Sequence, residues 1–593
     1  MIKTLLKSVR EYKTASILCP IVMVGEAVME ILIPFFMAQI LGQFNVHLDY
    51  INGVPGVTKD WDITYIIIRA VIMIVCATFA LICGVLGGRL AAKASCGFAH
   101  NLREDMYDRL QTYSFANIDN FSTSSLITRI TTDVSNVQNA YQMAIRMLVR
   151  APILFITSIV MTFLIEPKMA AIFAGAAIVL GIVVSVCMVK VVPYFRTMFK
   201  KYDKLNSVVQ EDLTAIRVVK SYVREDREIS KMKEASGDVY KYAVKAERIL
   251  TVMMPCVTLT LFIVNVINLF VGSNMVFGNI SGNVEPTDVQ TLIQYSAQIL
   301  SGVMMVAMCL NFISLSKGSM DRICEVLNEK TTLPKAENPL DEVKDGSISF
   351  KNVSFAYSQK ADLQVLKDID IDIASGETIG IIGATGSGKT SLVSLIPRLY
   401  DVSSGSVEVG GVDVRNYSLD ALRSKVAMVL QKNVLFSGTV AENLRWGDEN
   451  ATDEEIKLAA KQACADEFIE RLPGGYNYDL GQGGVNVSGG QKQRLCIARA
   501  LLKKPKVIIF DDSTSAVDTK TDANIRESLR IYAPDVTKII IAQRIASVQD
   551  ADRIIVMDDG AISGIGTHAE LVKSNAIYRE VYESQIKGGE ENE

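Results

Sequence analysis

The chain has 593 residues, a formal net charge of −4 and a mean hydropathy of +0.25. One hydrophobic core does not serve that length, so at least two domains are expected, and the positive mean hydropathy puts part of the chain in lipid. The near-neutral charge argues against a nucleic-acid partner, and ten scattered cysteines without a CxxC pair, beside only His47, His100 and His568, argue for reduced thiols rather than a metal site.

The chain opens on "MIKTLLKSVREYK", basic and amphipathic, which suits a helix lying in a membrane interface. The first apolar run is long and lacks a small-residue cleavage pattern after it, so no cleavable signal peptide is expected. Six apolar runs are long enough to cross a bilayer, at about 16–41, 63–92, 147–166, 168–192, 248–275 and 290–315. Only "EPK" separates the third from the fourth. Two other connections, 95–146 and 193–247, are long, helical in period and poor in breakers. Folded as helix pairs of about 25 residues, they would reach ~37 Å beyond the bilayer. The N-terminal segment and 193–247 are rich in Lys and Arg, while loops 43–62 and 276–289 carry mainly acids, which puts both termini and the long extensions in the cytosol. The extensions are either struts or levers whose tips, in 121–137 and 211–225, dock elsewhere.

Ionisable residues sit inside the spans. Glu26 and Glu30 share one face of the first, and Arg69 lies in the second. Either Glu30 and Arg69 pair to hold two spans together, or the glutamates line a cavity that attracts cationic amphiphiles. The methionines of "TVMMPCV" and "GVMMVAMCL" read as lipid-facing filler or as an adaptable binding surface. Pro34 and Pro255 are candidate bends.

The expected organisation is a membrane domain with cytosolic helical extensions over 1–327, a polar linker over 328–345, a soluble domain over 346–585 and a disordered tail over 586–593. The soluble half carries "GETIGIIGATGSGKTSLVSLI". A β-like run enters a glycine-rich loop and leaves as a helix, fitting G-x-x-x-x-G-K-[ST] from Gly383 to Thr390. Glycines let successive backbone N–H groups turn toward one anion, and the helix N-terminus adds positive potential. Lys389 would reach the outer phosphates of ATP, and Thr390 would ligate Mg²⁺. Tyr357 offers a face to stack on adenine, or is a packed sheet residue. Gln431 ends another apparent strand and could reach Mg²⁺ or water, or is an ordinary loop amide. Asp511 closes the strand "VIIF" as the acid behind the magnesium.

"VSGGQKQRLCIARAL" (487–501) is not part of a generic phosphate-loop protein. With "VAENLRWG", "SAVD" and "GTHAELV" it makes the chain resemble an ABC exporter half-transporter over nearly its whole length. The fold this implies is an α-helical transmembrane domain plus an α/β P-loop cassette. The resemblance implies a Walker A loop holding ATP through Gly383, Thr385, Gly386, Ser387, Gly388, Lys389, Thr390 and Ser391. It makes Tyr357 the adenine-stacking residue, Gln431 the Q-loop and Asp511 the Walker B aspartate, with Thr390, Gln431 and Asp511 around Mg²⁺. Ser488, Gly489, Gly490 and Gln491 would cap ATP on a second subunit, so a dimer is implied, in a cytoplasmic membrane.

Two positions depart from the family pattern. Asp512 stands where glutamate follows the Walker B aspartate, and Gln543 where the switch histidine stands; Gln482 and Val487 also differ near the signature. Aspartate is shorter by about 1.5 Å, one C–C bond. A misplacement of ~1 Å can cost ~100-fold in rate. Glutamine cannot exchange a proton near neutral pH. The expectation is a site that binds ATP, hydrolyses it slowly, and completes the active site of a different half-transporter that moves amphipathic drugs, lipids or peptides outward. The competing readings are tolerated drift in an active homodimer, an importer on the same fold, and an ATP-gated regulator or channel-like protein.

Overall fold

The computed structural model describes the chain except residues 44–47, 52–53, 58–61, 279, 281–283, 335, 358–363, 513–517 and 591–593. Two compact units emerge, one of Met1–Gln111 with Thr123–Glu329, the other of Thr112–Ser122 with Lys330–Glu593.

The first unit is helical. Its elements are α1 (Lys13–Gly42), α2 (Ile63–Gln111), α4 (Val134–Ile165), α5 (Pro167–Thr214), α6 (Ile216–Ser221), α7 (Glu225–Val276) and α8 (Pro286–Asn328); α3 (Phe115–Asn120) belongs to the second unit. Among the described residues, six helical stretches are long and apolar enough to cross a membrane, matching the six expected spans in number and order. A short antiparallel hairpin, Leu48–Ile51 with Val54–Val57, joins the first two. Outward positions such as Ile67, Leu81, Leu164, Val189 and Phe270 are exposed in the chain alone, as lipid-facing residues would be. Helices α1 and α2 approach closely because Gly87 leaves room: a Cβ there would fall 2.3 Å from the Met23 methyl. Helices α1 and α7 run on through Pro34 and Pro255.

The proposed pairing of Glu30 with Arg69 is not what the fold makes. Arg150, on α4, takes Glu30 Oε2 at 2.6 Å and Glu26 Oε1 at 3.4 Å. The Arg69 guanidinium instead lies 4.9 Å from the ring of Tyr65 and 5.8 Å from that of Phe36. Two carboxylates therefore share one guanidinium across α1 and α4.

The first tip also differs from expectation. The tight helical turn is α3 rather than 121–137. Ser114 caps it, its Oγ accepting from Asn117 N–H at 3.1 Å while Asn117 Oδ1 accepts from Ser114 N–H at 3.2 Å. That reciprocal cap is a stronger start signal than anything in 121–137. Thr123–Ile165 instead runs as one helical stretch with a π turn at Arg129–Asp133. Within 211–225 lies the short helix α6.

The second unit is an α/β domain. Its strands are β1 (Ile348–Phe355), β2 (Leu366–Ile373), β3 (Thr378–Gly383), β4 (Ser404–Val409), β5 (Val412–Asp413), β6 (Val426–Val429), β7 (Val507–Asp511), β8 (Thr537–Ile541), β9 (Arg553–Asp558) and β10 (Ala561–Gly566). The larger sheet has the order β10-β9-β3-β8-β7-β6 and is parallel except at β10. A second, antiparallel sheet has the order β2-β1-β4-β5. Strands β7 and β8 are buried along their whole length, which is why most of each is apolar, four residues of "VIIFD" and three of "TKIII". Helix α9 (Lys389–Ser394) follows β3, α10 (Gly489–Leu502) precedes β7, and α11 (Ala576–Glu590) ends the described chain. The tail expected to be disordered from 586 is thus helical through Glu590. Once Tyr578, fully buried, anchors α11, each further residue adds a backbone bond at little cost.

Candidate nucleotide-binding site

The carboxyl ends of β3, β7 and β8 converge on one cleft of about 590 Å³, a size that suits a small ligand. Strand β3 stops at Gly383, whose Cβ, were there one, would lie 2.3 Å from Met557 O on β9. The loop then turns through Gly386 (φ +87°) and Gly388 (φ +94°), conformations that only glycine adopts without strain. Lys389 opens α9. Its ammonium folds back over the loop, donating to Gly383 O at 2.8 Å and Ala384 O at 2.7 Å. Burial lowers the Lys389 pKa, opposed by the charges of Asp512 and Asp511.

Thr390 Oγ1 donates to Asp511 Oδ1 at 2.8 Å. Asp511 is buried, and burial pushes its carboxyl pKa up, while the Thr390 bond pulls it down. Asp512, next along, has φ +47°. Its amide N–H donates to Ile541 O at 3.1 Å, and its Oδ2 accepts from Gln543 Nε2 at 2.7 Å and Gln431 Nε2 at 3.3 Å. The cleft's far end is Tyr357. Its hydroxyl meets Ser391 Oγ at 2.8 Å, and its ring is held edge-on by Phe355 at 4.9 Å and Tyr400 at 5.1 Å. About half of Tyr357 remains exposed, leaving an aromatic surface open to the cleft.

These residues fit a magnesium nucleotide. An ammonium bonded to neutral groups of its own loop, two carbonyls and the Ser387 hydroxyl, can turn to a phosphate chain. A hydroxyl beside a buried carboxylate offers the hard oxygen ligands that Mg²⁺ takes. The structure therefore brings together Tyr357, Gly383, Thr385, Gly386, Gly388, Lys389, Thr390, Ser391, Gln431, Asp511, Asp512 and Gln543 around one cleft. Ser387, buried, underlies it, its Oγ 3.4 Å from Lys389 Nζ. Ser488, Gly489, Gly490 and Gln491 do not line it. They start α10, where Ser488 N–H donates to Gln491 Oε1 at 2.8 Å. Most of "SAVD", Ser515 to Val517, lies outside the described residues; Asp518 caps the next helix, accepting from Thr521 N–H at 2.9 Å.

Three participants escape the sequence reading. Ile577 and Val581, on α11, form a wall of the cleft. Tyr400 backs Tyr357 and donates to Asp119 Oδ2 of α3 at 2.7 Å, with Phe115 6.1 Å away. Burial and the Asp119 carboxylate raise the Tyr400 pKa. The i, i+4 spacing on α11 was visible in the sequence, but not what that face would meet.

Residues 16–304 match the family described as ABC transporter transmembrane region, and residues 366–515 match that described as ABC transporter. The chain is 34% identical over 581 residues to the uncharacterized ABC transporter ATP-binding protein YfiB of Bacillus subtilis strain 168, covering 98% of each. It is 33% identical over 485 residues to the probable multidrug resistance ABC transporter ATP-binding/permease protein YheI of the same organism, covering 82% of each. A solved bacterial Atm1-family ABC exporter with ATP bound superimposes with a TM-score of 0.81 at 22% identity, covering 97% of this chain and 98% of that one. The chain therefore belongs to the ABC transporter family, as a half-transporter with one helical membrane domain of exporter fold and one ATP-binding cassette.

Proposed function

We propose that this half-transporter works as the hydrolysis-impaired subunit of a heterodimeric exporter in the cytoplasmic membrane. It holds MgATP in its own cleft and lends its signature, Ser488 to Gln491, to the active site of a different half-transporter. The observation that carries this reading is the environment of Asp512. Its carboxylate is one methylene shorter than glutamate and is engaged by the amides of Gln543 and Gln431, neither of which can exchange a proton near neutral pH.

The binding parts are kept. Lys389 and the glycine loop can hold a phosphate chain, Thr390, Asp511 and Gln431 can hold Mg²⁺, and Tyr357 can stack on a base. Bound MgATP would supply the free energy of its terminal phosphoanhydride bond. Among the described residues lining the cleft, none is a base long enough to take a proton from water beside that bond. The likeness to a multidrug relative supports amphipathic small molecules as cargo, with lipids or peptides as variants of the same chemistry. The test pairs this chain with its partner and replaces the partner's catalytic glutamate by glutamine. Loss of nearly all ATP turnover is expected. Substantial remaining turnover, or brisk hydrolysis by this chain purified alone, overturns the reading.

A further inference from the structure

We propose that Gln585, near the end of the chain, is a positioning residue of the nucleotide site that sets its preference for ATP over ADP; the proposal rests on the nucleotide reading above. Helix α11 carries Ile577, Val581 and Gln585 at successive steps of four, hence on one face. The first two wall the cleft. The third reaches the segment that follows β8, where one side-chain amide grips the backbone at both ends. Gln585 Nε2 donates to Gln543 O at 2.8 Å, and Gln585 Oε1 accepts from Ile545 N–H at 2.9 Å.

The residue so held is the one whose own side chain donates to Asp512 Oδ2. Gln543 and Arg544 form a bend outside strand and helix, so regular secondary structure does not fix their position. Gln585 does, and α11 is itself well anchored at its start. Tyr578 is fully buried, its hydroxyl meets His568 Nδ1 at 2.8 Å, and its N–H donates to Asn575 Oδ1 at 2.9 Å. The Tyr582 ring packs edge-on to His568 at 4.9 Å. A rigid helix thus sets the Gln543 backbone, and the Gln543 amide meets the carboxylate end of the cleft. That end, beside Lys389, Thr390 and Asp511, suits the outermost phosphate of a triphosphate. A diphosphate, one group shorter, would stop short of Gln543.

Loosening Gln543 should therefore weaken ATP and spare ADP. The test uses the full-length protein in lipid nanodiscs, with displacement of a fluorescent nucleotide by ATP and by ADP in Mg²⁺. Gln585→Ala is expected to weaken ATP by about tenfold, the equivalent of about one hydrogen bond, with ADP affinity and melting temperature unchanged. Amide exchange in 543–548 should speed up while α11 stays protected. Gln585→Glu keeps the acceptor for Ile545 but sets a carboxylate against Gln543 O, and should reproduce the loss for ATP. An unchanged ratio of ATP to ADP affinity, whether both weaken equally or neither moves, overturns the proposal. A wild-type protein that binds neither nucleotide overturns the nucleotide reading beneath it.

Discussion

The side-chain amide of Gln543 donates to Asp512 Oδ2 at 2.7 Å, joining the ends of two adjacent parallel strands, β7 and β8. Both partners stand at positions where the proposed reading has this chain depart from the pattern of hydrolytic cassettes. Restoring both should restore the chemistry. Asp512→Glu with Gln543→His is expected to raise ATP turnover at this site by about 10- to 100-fold, the scale of a ~1 Å correction in reach. Phosphate release by the full-length variant in nanodiscs, against wild type, checks it.

Lys389 should matter for binding more than for turnover. Its ammonium is the cation that heads the loop, and a hydrogen bond to a charged group is worth about 1.5–3 kcal/mol. Lys389→Ala is expected to weaken ATP by about 10- to 100-fold. Thr390→Ala, which removes the hydroxyl bonded to Asp511, should instead weaken the dependence on Mg²⁺. Nucleotide titrations with and without the metal separate the two effects.

In the membrane half, Arg150 is shared by Glu26 and Glu30. Arg150→Met leaves two carboxylates in an apolar setting with no cation of their own. Removing one partner of a fully buried pair typically costs about 3–5 kcal/mol, and less here because Glu30 is 41% exposed, so the melting temperature and membrane yield should drop. The triple variant Arg150→Met, Glu26→Gln, Glu30→Gln should recover most of the stability. If the glutamates also attract cationic cargo, the triple variant will fold yet lose transport of cationic amphiphiles while keeping neutral ones.

A fourth prediction concerns acid. Glu377, before β3, accepts from Arg553 Nη2 at 2.8 Å, and Arg553 also bonds Asp372 O at 2.7 Å. The Arg553 hydrogen bond holds the Glu377 carboxyl below its usual range. A carboxyl whose pKa is depressed by folding stabilises the fold above its unfolded value, about 4.3, and loses that contribution as pH falls through it toward the folded value. Because Arg553 is about a third exposed, the contribution is about 1 kcal/mol. Between about pH 6 and about pH 3 wild type should lose more melting temperature than Glu377→Gln, by a few degrees.

Much of this protein was readable before any fold was known. The spans followed from run length, because a bilayer demands about 20 apolar residues whatever surrounds them. The Gly383–Thr390 loop was readable because phosphate chemistry needs glycines, a lysine and a hydroxyl at fixed steps. Asp512 and Gln543 stood out one by one for the same cause. Less legible was the start of α3, where Ser114 and Asn117 cap each other inside a stretch that reads as continuous helix. The polar composition of 586–590 hid a helix propagated from a buried Tyr578.

Short-range pattern, then, sufficed for the element types, the six spans and the strand–glycine loop–helix course of 378–394, because each depends on neighbours within a few residues. The pairings depended on how distant helices and strands come to rest. Arg150 rather than Arg69 met Glu30 because α4, 120 residues on, places its guanidinium at that depth of α1. Gln585 met Gln543 because α11 folds back over the end of β8. Such contacts follow from the register of packed elements, a quantity that no local periodicity encodes.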